Sequence, residues 1–588
     1  MLDISTQLLQ RLQPAFDSIE VSSDPVLRSS ERADYQVNGV LALAKRLRKN
    51  PFELAGEIVA GADLDGVCEK VDVSGPGFIN LTLSTQFIAS QLFEMMHDER
   101  LGVTTVSSEN SVEATGEPIR VVVDYSGPNV AKEMHVGHLR TTVIGDALCR
   151  ILSFVGYSVV RENHIGDWGT PFGMLIEHLV DMGEEKGAHE LSVGDLDGFY
   201  RAARVCFDAD EEFAERSRRR VVLLQRGDPE TVRLWQLLVA ESVRYFDDVY
   251  AKLGVLLVDD DIVGESYYNS KLDDVVSILG DKGLIVEDNG ALCVFPEGFY
   301  NRSGDPLPLI IRKSDGGYGY AATDLAAIWD RAERLRARRI LYVVGSAQSQ
   351  HLQMCFAVAK LVGWLNDSVE AVHVSFGNIL GSDNKVFKTR SGERIKLVDL
   401  LDEAIERGAI AIAKRSNPIP DETTSLGNRD TARIVGIGAV KYADLSTERT
   451  RDYVFDWERM LGFEGNTAAY LQYAHARICS IFRRSGLESY DPTSVKVLDQ
   501  SVIHERSLAL KLLGYGEAIN STLESYSPSK LCAYLFELSS TFTDFFEHCK
   551  VLVDDPAVRD KRLALCGLTR SVLAHGLDLL GLEAPSQM

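Results

Sequence analysis

The sequence predicts an α/β protein whose parallel-sheet, nucleotide-binding core is preceded by a small α+β unit and followed by an all-α unit. Three observations carry that prediction. Residues 119–156 run from a β-branched stretch, Ile119–Tyr125, through a break at Ser126, Gly127, Pro128 and Asn129 into a helical apolar pattern that stops at Gly156. A second strand pattern, Tyr157–Glu162, follows at once and makes a right-handed βαβ crossover, half of a dinucleotide-type fold whose ligand crevice lies at the carboxyl ends of the strands. From Thr431 onward the periodicity is helical to the last residues.

Residues 1–110 form the first unit. MLDISTQLLQRLQPAF sets Leu2, Leu8, Leu9 and Leu12 among polar residues, which reads as a short amphipathic helix lacking a signal peptide's apolar core. Helical patterns continue through Lys49, Pro51 breaks them, and VDVSGPGFINLTLS alternates around two glycines like a pair of strands. The polar run SSENSVEATGEP, residues 107–118, separates this unit from the core at 111–430. Within the core, NHIGDWGTPFGMLIEHL leads from the second strand into another helix, and residues 183–255 are a charged, mostly helical insertion. LLVDDDIVGESYYNS, GALCVF and LPLIIRKSDGGYGYAATDLAAI return to strand patterns ahead of a helix from Thr323 to Arg338. VHVSFGNILGSDNKVFKTRSGERIKLVDLLDEA then supplies a strand, a loop rich in glycine and lysine, and a helix. In the last unit, 431–588, Tyr470, Tyr473 and Arg477 share one helical face, where aromatics and an arginine can stack unpaired bases.

A chain of 588 residues, 45% apolar and 25% charged, has length for three or four domains and the composition of a soluble globular protein. No apolar run approaches a membrane span. Nine scattered cysteines without a CxxC suit reduced thiols in a cytoplasm. The net charge of −24 argues on its face against a nucleic-acid partner, but local clustering matters more, and Arg216 with Arg218, Arg219 and Arg220, the run Arg331–Arg339, and Arg483 with Arg484 offer separate basic stripes.

His135 and His138 stand at the start of the core's first helix, beside backbone N–H groups without intrahelical partners, where an anion would settle. Gly137 between them lets a flat ring or a phosphate approach the backbone. Two imidazoles and orphan amides could stabilise charge on a pentavalent phosphate. A metal site is the weaker reading, because no third ligand accompanies the pair at metal spacing. Lys385, Lys388 and Arg390 on the later loop could close on a pyrophosphate. Gly166, Trp168 and Gly169 fit a nucleotide wall.

PNVAKEMHVGH resembles the HIGH signature of class I aminoacyl-tRNA synthetases, and the longer DYSGPNVAKEMHVGHLR is similar to the form found in arginyl-tRNA synthetases. Pro76–Asn80, PGFIN, resembles that family's N-terminal extension, which contacts the tRNA elbow, and FKTRSG resembles its degenerate KMSKS segment, with Ser391 at the place of the second lysine. Pro171 stands where the family usually has Gln, and Ala468 with Ala469 where the bundle usually has Gly-Pro. The resemblance spans essentially the whole chain. It implies a Rossmann-like catalytic domain at 111–430, an N-terminal tRNA-contacting domain at 1–110 and an anticodon-binding bundle at 431–588.

By the same resemblance, His135, His138, Lys132, Lys388 and Arg390 would be catalytic, with Gly137 and Lys385 joining the histidines and Lys388 on ATP. Lys132 would replace the missing second loop lysine. Asn129, Asp124, Glu265, Tyr320, Asp324 and Gln348 would hold arginine, whose planar guanidinium needs carboxylates and an aromatic face. Tyr470, Tyr473, Arg477, Phe546, where a tyrosine is common, and the terminal Met588 would touch tRNA. The implied partners are tRNA(Arg), L-arginine and ATP, the last with Mg2+ as its substrate complex; no protein-ligated metal, no membrane and a monomer are expected. Two other readings remain at this point: a catalytically silent tRNA-binding paralogue, and a class I synthetase of another specificity.

Overall fold

The computed structural model describes residues 3–19, 23–30, 32–105, 118–183, 196–387, 395–415, 424–487 and 502–588. The chain divides into two compact units, one made of Met1–Ser107 with Gly462–Met588 and the other of Ser108–Leu461.

In the first unit, strands β1 (Leu27–Ser29), β2 (Tyr35–Val37), β3 (Cys68–Ser74) and β4 (Phe78–Leu83) form an antiparallel sheet in the order β1-β2-β4-β3. β3 and β4 are the strand pair anticipated around the two glycines. Helix Ile4–Asp17 is capped by Asp3, whose carboxylate accepts from the Thr6 N–H at 2.8 Å, and it buries Ile4, Leu8, Leu12 and Phe16. The C-terminal part of this unit is the helices Ala468–Ser485, Ile503–Leu513, Tyr515–Ser525, Ser529–His548 and Pro556–Leu579. The Thr467 hydroxyl caps the first of these and Gly486 ends it in the left-handed region.

The second unit is built on a four-stranded parallel sheet: β5 (Arg120–Asp124), β6 (Ser158–Glu162), β10 (Arg339–Tyr342) and β11 (Glu370–His373), in the order β11-β10-β5-β6. Val121, Val122 and Val123 are fully buried, as a strand covered on both faces demands. The chain leaves β5 for β6 on one side and returns as β10 on the other, so the sheet has its switch point between β5 and β10. Thr141, in helix Gly137–Phe154, pins that point. Its Oγ1 accepts from the Ser126 N–H at 2.9 Å, and its hydroxyl donates to the Val343 carbonyl at 2.6 Å.

Several elements differ from expectation. The helix expected at Thr323–Arg338 runs Tyr320–Glu333, with Gly319 at its N-cap, and Arg336 beyond its end takes a φ of 52°. LLVDDDIVGESYYNS forms two 3₁₀ turns, Asp259–Asp261 and Glu265–Lys271, instead of a strand; at the first, the Asp261 N–H donates back to the Val258 carbonyl at 2.9 Å while the Asp261 carboxylate accepts from the Val258 N–H at 3.1 Å. The strand patterns that follow make a separate antiparallel sheet of β7 (Val286–Asp288), β8 (Ala291–Val294) and β9 (Leu309–Arg312). Short strands β12 (Ile379–Leu380) and β13 (Tyr453–Val454) pair in parallel.

Thr431, where the last domain was expected to begin, falls inside helix Thr424–Leu445. That helix belongs to the second unit, since buried Arg140 of Gly137–Phe154 pairs with its Asp444 at 3.2 Å and donates to the Arg451 carbonyl at 2.9 Å. The compact unit accordingly extends to Leu461.

Candidate active site

The loop after β5 is held in a conformation that short-range preference opposes. Ser126 and Ala131 both take positive φ, 72° and 57°. The Ser126 hydroxyl pairs with the Tyr250 hydroxyl at 2.7 Å, and the Ala131 N–H donates to the Ser242 hydroxyl at 2.9 Å. Asn163, fully buried, accepts from the Gly127 N–H at 3.0 Å and donates to Tyr250 at 3.0 Å. Helix Pro229–Leu253 of the insertion therefore braces the loop from outside the sheet.

The two histidines follow. His135 precedes the helix and His138 lies in its first turn; their rings stack with centroids 4.0 Å apart. The His135 N–H donates to His138 Nδ1 at 3.1 Å and the Gly137 N–H donates to His135 Nδ1 at 3.0 Å. Both Nδ1 atoms are thereby acceptors, which puts the proton of each neutral ring on Nε2 and makes the pair donors. A Cβ on Gly137 would lie 2.7 Å from the His135 ring, so the glycine is what lets the imidazole fold over the backbone.

The described residues that follow the expected second phosphate loop, 395–397, meet this point. Val136 donates to the Ile395 carbonyl at 3.0 Å, Leu397 donates to the Met134 carbonyl at 2.8 Å, and His135 bridges to Lys396. The Lys396 ammonium pairs with buried Glu133 at 2.8 Å. Lys388, Arg390 and Ser391 lie outside the described residues. Lys385 is exposed on the turn before them, its N–H donating to Asp383 at 3.1 Å.

Beside the histidine loop opens a cleft of about 1180 Å³, lined among others by Asn129, Lys132, Trp168, Glu265, Lys313 and Tyr320. Lys132 sets its ammonium 4.5 Å from the centroid of the Tyr200 ring. Asn129 reaches across to Gly166, where a Cβ would stand 2.2 Å from its Oδ1; only glycine fits there. Trp168 meets Trp235 edge to face at 5.7 Å, and the Trp235 indole donates to the Asp167 carbonyl at 2.7 Å.

Acidic groups gather around Glu265 of the cleft wall; Asp167 and Asp324 stand behind it and do not line the cleft. Glu265 has no ion-pair partner among the described residues, and burial, reinforced by Asp167 and Asp324, pushes its carboxyl up to about 8. Asp167, also raised by burial, accepts from the Ser266 N–H at 2.8 Å and hydroxyl at 2.6 Å. Asp324 meets His351 Nε2 at 2.5 Å, and that bond raises the imidazole's pKa against the opposing effect of burial. Cys355, buried, lies 3.7 Å beyond His351.

The proposed arginine ligands thus separate. Glu265 and Asp324 face each other electrostatically, Asn129 and Tyr320 line the same cleft, and Tyr320 is 76% exposed at its rim. Gln348 is exposed at the end of a 3₁₀ turn, Ser346–Gln348, beyond the carboxyl end of β10. Asp124 does not line the cleft. Its carboxylate is held at 2.8 Å by Arg331, a fully buried guanidinium that also grips Glu162 at 2.6 Å and lies 5.1 Å from the Tyr342 ring centroid. An internal arginine occupies the carboxylate that was expected to receive the substrate.

Arg331 also breaks the basic stripe at 331–339. The stripe at 216–220 is engaged too: Arg216 pairs with Glu177 and Asp181, Arg220 with Glu177, and Arg218 and Arg219 with Glu215. In the C-terminal bundle, Arg477 lies over Phe546 at 4.6 Å and near Tyr473 at 5.9 Å, whereas Tyr470 turns inward to Phe536 at 5.7 Å and Thr543 at 3.4 Å. The tail that ends in half-buried Met588 runs along helix Ala468–Ser485, where Gln472 and Arg483 donate to the Glu583 and Ser586 carbonyls at 3.0 and 3.1 Å.

Residue-level reasoning overlooked Asp167, Trp235, Lys313 and His351. Asp167 sat between two residues already singled out, Gly166 and Trp168, and His351 follows Gln348 by three positions at the start of a helix. Trp235 and Lys313 carry no local signal. None of the described helices is long and apolar enough to cross a membrane.

Comparison with known proteins identifies the family of the chain. The profile of the class I (R) tRNA synthetase catalytic domain matches residues 103–457, that of the DALR anticodon binding domain 471–588, and that of the arginyl tRNA synthetase N-terminal domain 3–83. The chain is 52% identical to an arginine--tRNA ligase of Thermobifida fusca, with all of both chains covered. It is 48% identical to that of Streptomyces avermitilis, over 96% of this chain and 95% of the relative. The crystal structure of arginyl-tRNA synthetase from Plasmodium falciparum superposes with a TM-score of 0.85 at 30% identity, covering 100% of both chains. The Thermus thermophilus arginyl-tRNA synthetase, at 24% identity and a TM-score of 0.80 over 100% of both chains, shares the fold. From its first domain to its last, the chain belongs to the arginyl-tRNA synthetase family.

Proposed function

We propose that the protein is an arginine--tRNA ligase, working as a cytoplasmic monomer on L-arginine, Mg-ATP and tRNA(Arg). A carboxylate oxygen of arginine attacks the α-phosphorus of ATP and pyrophosphate leaves, giving arginyl-adenylate. The 2′-hydroxyl of the terminal adenosine of tRNA then attacks the acyl carbonyl, loses its proton, and AMP departs. No covalent enzyme intermediate is needed; the protein positions groups and balances charge. The observation that carries the reading is Glu265, a half-buried acid lining a substrate-sized cleft with no cation paired to it among the described residues. Left alone the carboxyl stays largely protonated, an arriving cation favours its ionised form, and a guanidinium is the cation that a two-carboxylate fork with Asp324 selects.

In this reading Asn129 and Gln348 hold the amino acid's backbone groups, Tyr320 covers the guanidinium, and the Nε2–H donors of His135 and His138 stabilise the pentavalent phosphate. Gly137 leaves room for the nucleotide. Lys132, Lys385, Lys388 and Arg390 neutralise the leaving pyrophosphate. Tyr473, Arg477 and Phe546 form the stacking surface for an anticodon-loop base, with Tyr470 and Met588 beside it. The test is arginine-dependent ATP–pyrophosphate exchange, with and without cognate tRNA, and with lysine and glutamine as controls. Exchange with arginine alone, appearing when tRNA is added, is expected. Exchange with lysine, or none at all from folded protein that still binds tRNA, overturns the reading.

A further inference from the structure

Two helices of the C-terminal bundle bring together three donors that the aminoacylation chemistry does not use. Asp544 and His548 lie one turn apart at the end of helix Ser529–His548, and His504 is in the first turn of helix Ile503–Leu513, packed alongside. His504 Nδ1 meets one Asp544 oxygen at 2.7 Å, and His548 Nδ1 the other at 3.3 Å. The two imidazoles stack almost parallel, 8° apart with centroids at 4.1 Å. One donor atom from each residue falls within 4.8 Å of the others. No lysine or arginine among the described residues pairs with Asp544, while the acid nearby in sequence, Glu505, is taken by Lys561 and Arg562.

We propose that His504, Asp544 and His548 form a binding site for a divalent transition metal of the Zn2+ class. Two imidazoles and one carboxylate suit Zn2+ and its neighbours rather than Mg2+ or Ca2+, which prefer all-oxygen shells. Bonds of about 2.0–2.2 Å are reached by small rotations of side chains that are 27% and 52% exposed for the histidines and 52% for the aspartate. In the metal-free chain each Nδ1 is the donor, that of His504 to the Asp544 carboxylate and that of His548 to the Asp544 main-chain carbonyl at 2.9 Å, so the ion takes the ring nitrogens by displacing those protons, and solvent supplies the fourth position. The ion ties the start of one helix to the end of the other. Neighbouring Cys549 is buried and outside the donor set.

The spacing of these residues along the chain gives no hint of the site, because His504 and Asp544 are 40 positions apart. The test uses the full chain, stripped with a chelator and titrated with Zn2+ in a calorimeter. One equivalent is expected whose affinity falls about tenfold or more in His504→Gln and in His548→Gln. Both variants should keep the metal-free unfolding midpoint, since neither side chain is buried. Co2+ separates this site from the other three-donor cluster, Asp324, His351 and Cys355: here the visible d–d bands come without thiolate charge transfer, and they vanish in both variants. Titrations unchanged in the two variants, or cobalt spectra showing thiolate ligation in the sole equivalent bound, overturn the proposal.

Discussion

Glu265 makes arginine binding depend on pH in a direction that can be worked out in advance. In the empty site its carboxyl is pushed up to about 8 by burial and by Asp167 and Asp324, so near neutral pH it is mostly protonated. A guanidinium pairs only with the ionised form, so the bound state favours deprotonation and arginine uptake releases a proton. At a midpoint of about 8, the ionised fraction is about one-eleventh at pH 7 and one-half at pH 8. The apparent affinity for arginine should therefore rise about fivefold between those values and flatten above pH 8.5. His351 acts in the same sense, because losing its raised proton frees Asp324 for the substrate. The assay is the arginine KM in tRNA-supported ATP–pyrophosphate exchange, from pH 6.5 to 8.5 at saturating ATP. Glu265→Gln should weaken arginine about tenfold or more at pH 8.5 and remove most of the slope. A wild-type KM that changes less than about twofold over the range, or a Glu265→Gln slope equal to that of the wild type, refutes the reasoning.

Other substitutions separate the remaining roles. His138→Ala should lower kcat by about 10²–10³ while leaving the arginine KM within a few fold, as measured by steady-state exchange. Asp324→Ala should do the opposite, raising the arginine KM and narrowing the preference over lysine, with kcat at saturation much less affected. Arg331→Met leaves Asp124 and Glu162 buried without their cation and should cost about 3–5 kcal/mol in denaturant unfolding; a loss below about 1 kcal/mol would show that the pair is solvated. Arg477→Ala should raise the tRNA KM by about tenfold, within the 1–3 kcal/mol of one stacked base, without changing the arginine KM.

Local pattern determined much of this protein. The β-branched run at Ile119–Tyr125, the Ser-Gly-Pro-Asn break and the apolar repeat from Val136 to Val155 each state a conformation within a few residues, and the strand, loop and helix form where those patterns lie. The histidine pair was legible for the same reason, since residues three apart at a helix start share a turn whatever surrounds them. Where a pattern was short, local geometry went another way: VDDDIVGES reads as a strand but closes into 3₁₀ turns, and the helix expected from Thr323 starts three residues earlier, at Tyr320.

What only the tertiary structure decided is which charge meets which. Asp124 ends a core strand and Glu265 begins a 3₁₀ turn, yet Asp124 is captured by Arg331, 207 positions later, while Glu265 is half-buried with no paired cation among the described residues. Asp324 acquires His351 from the next helix, and Asp544 acquires His504 from a neighbouring one. Electrostatic partnership follows distance in space and loss of solvent, neither of which is encoded in the spacing of residues along the chain.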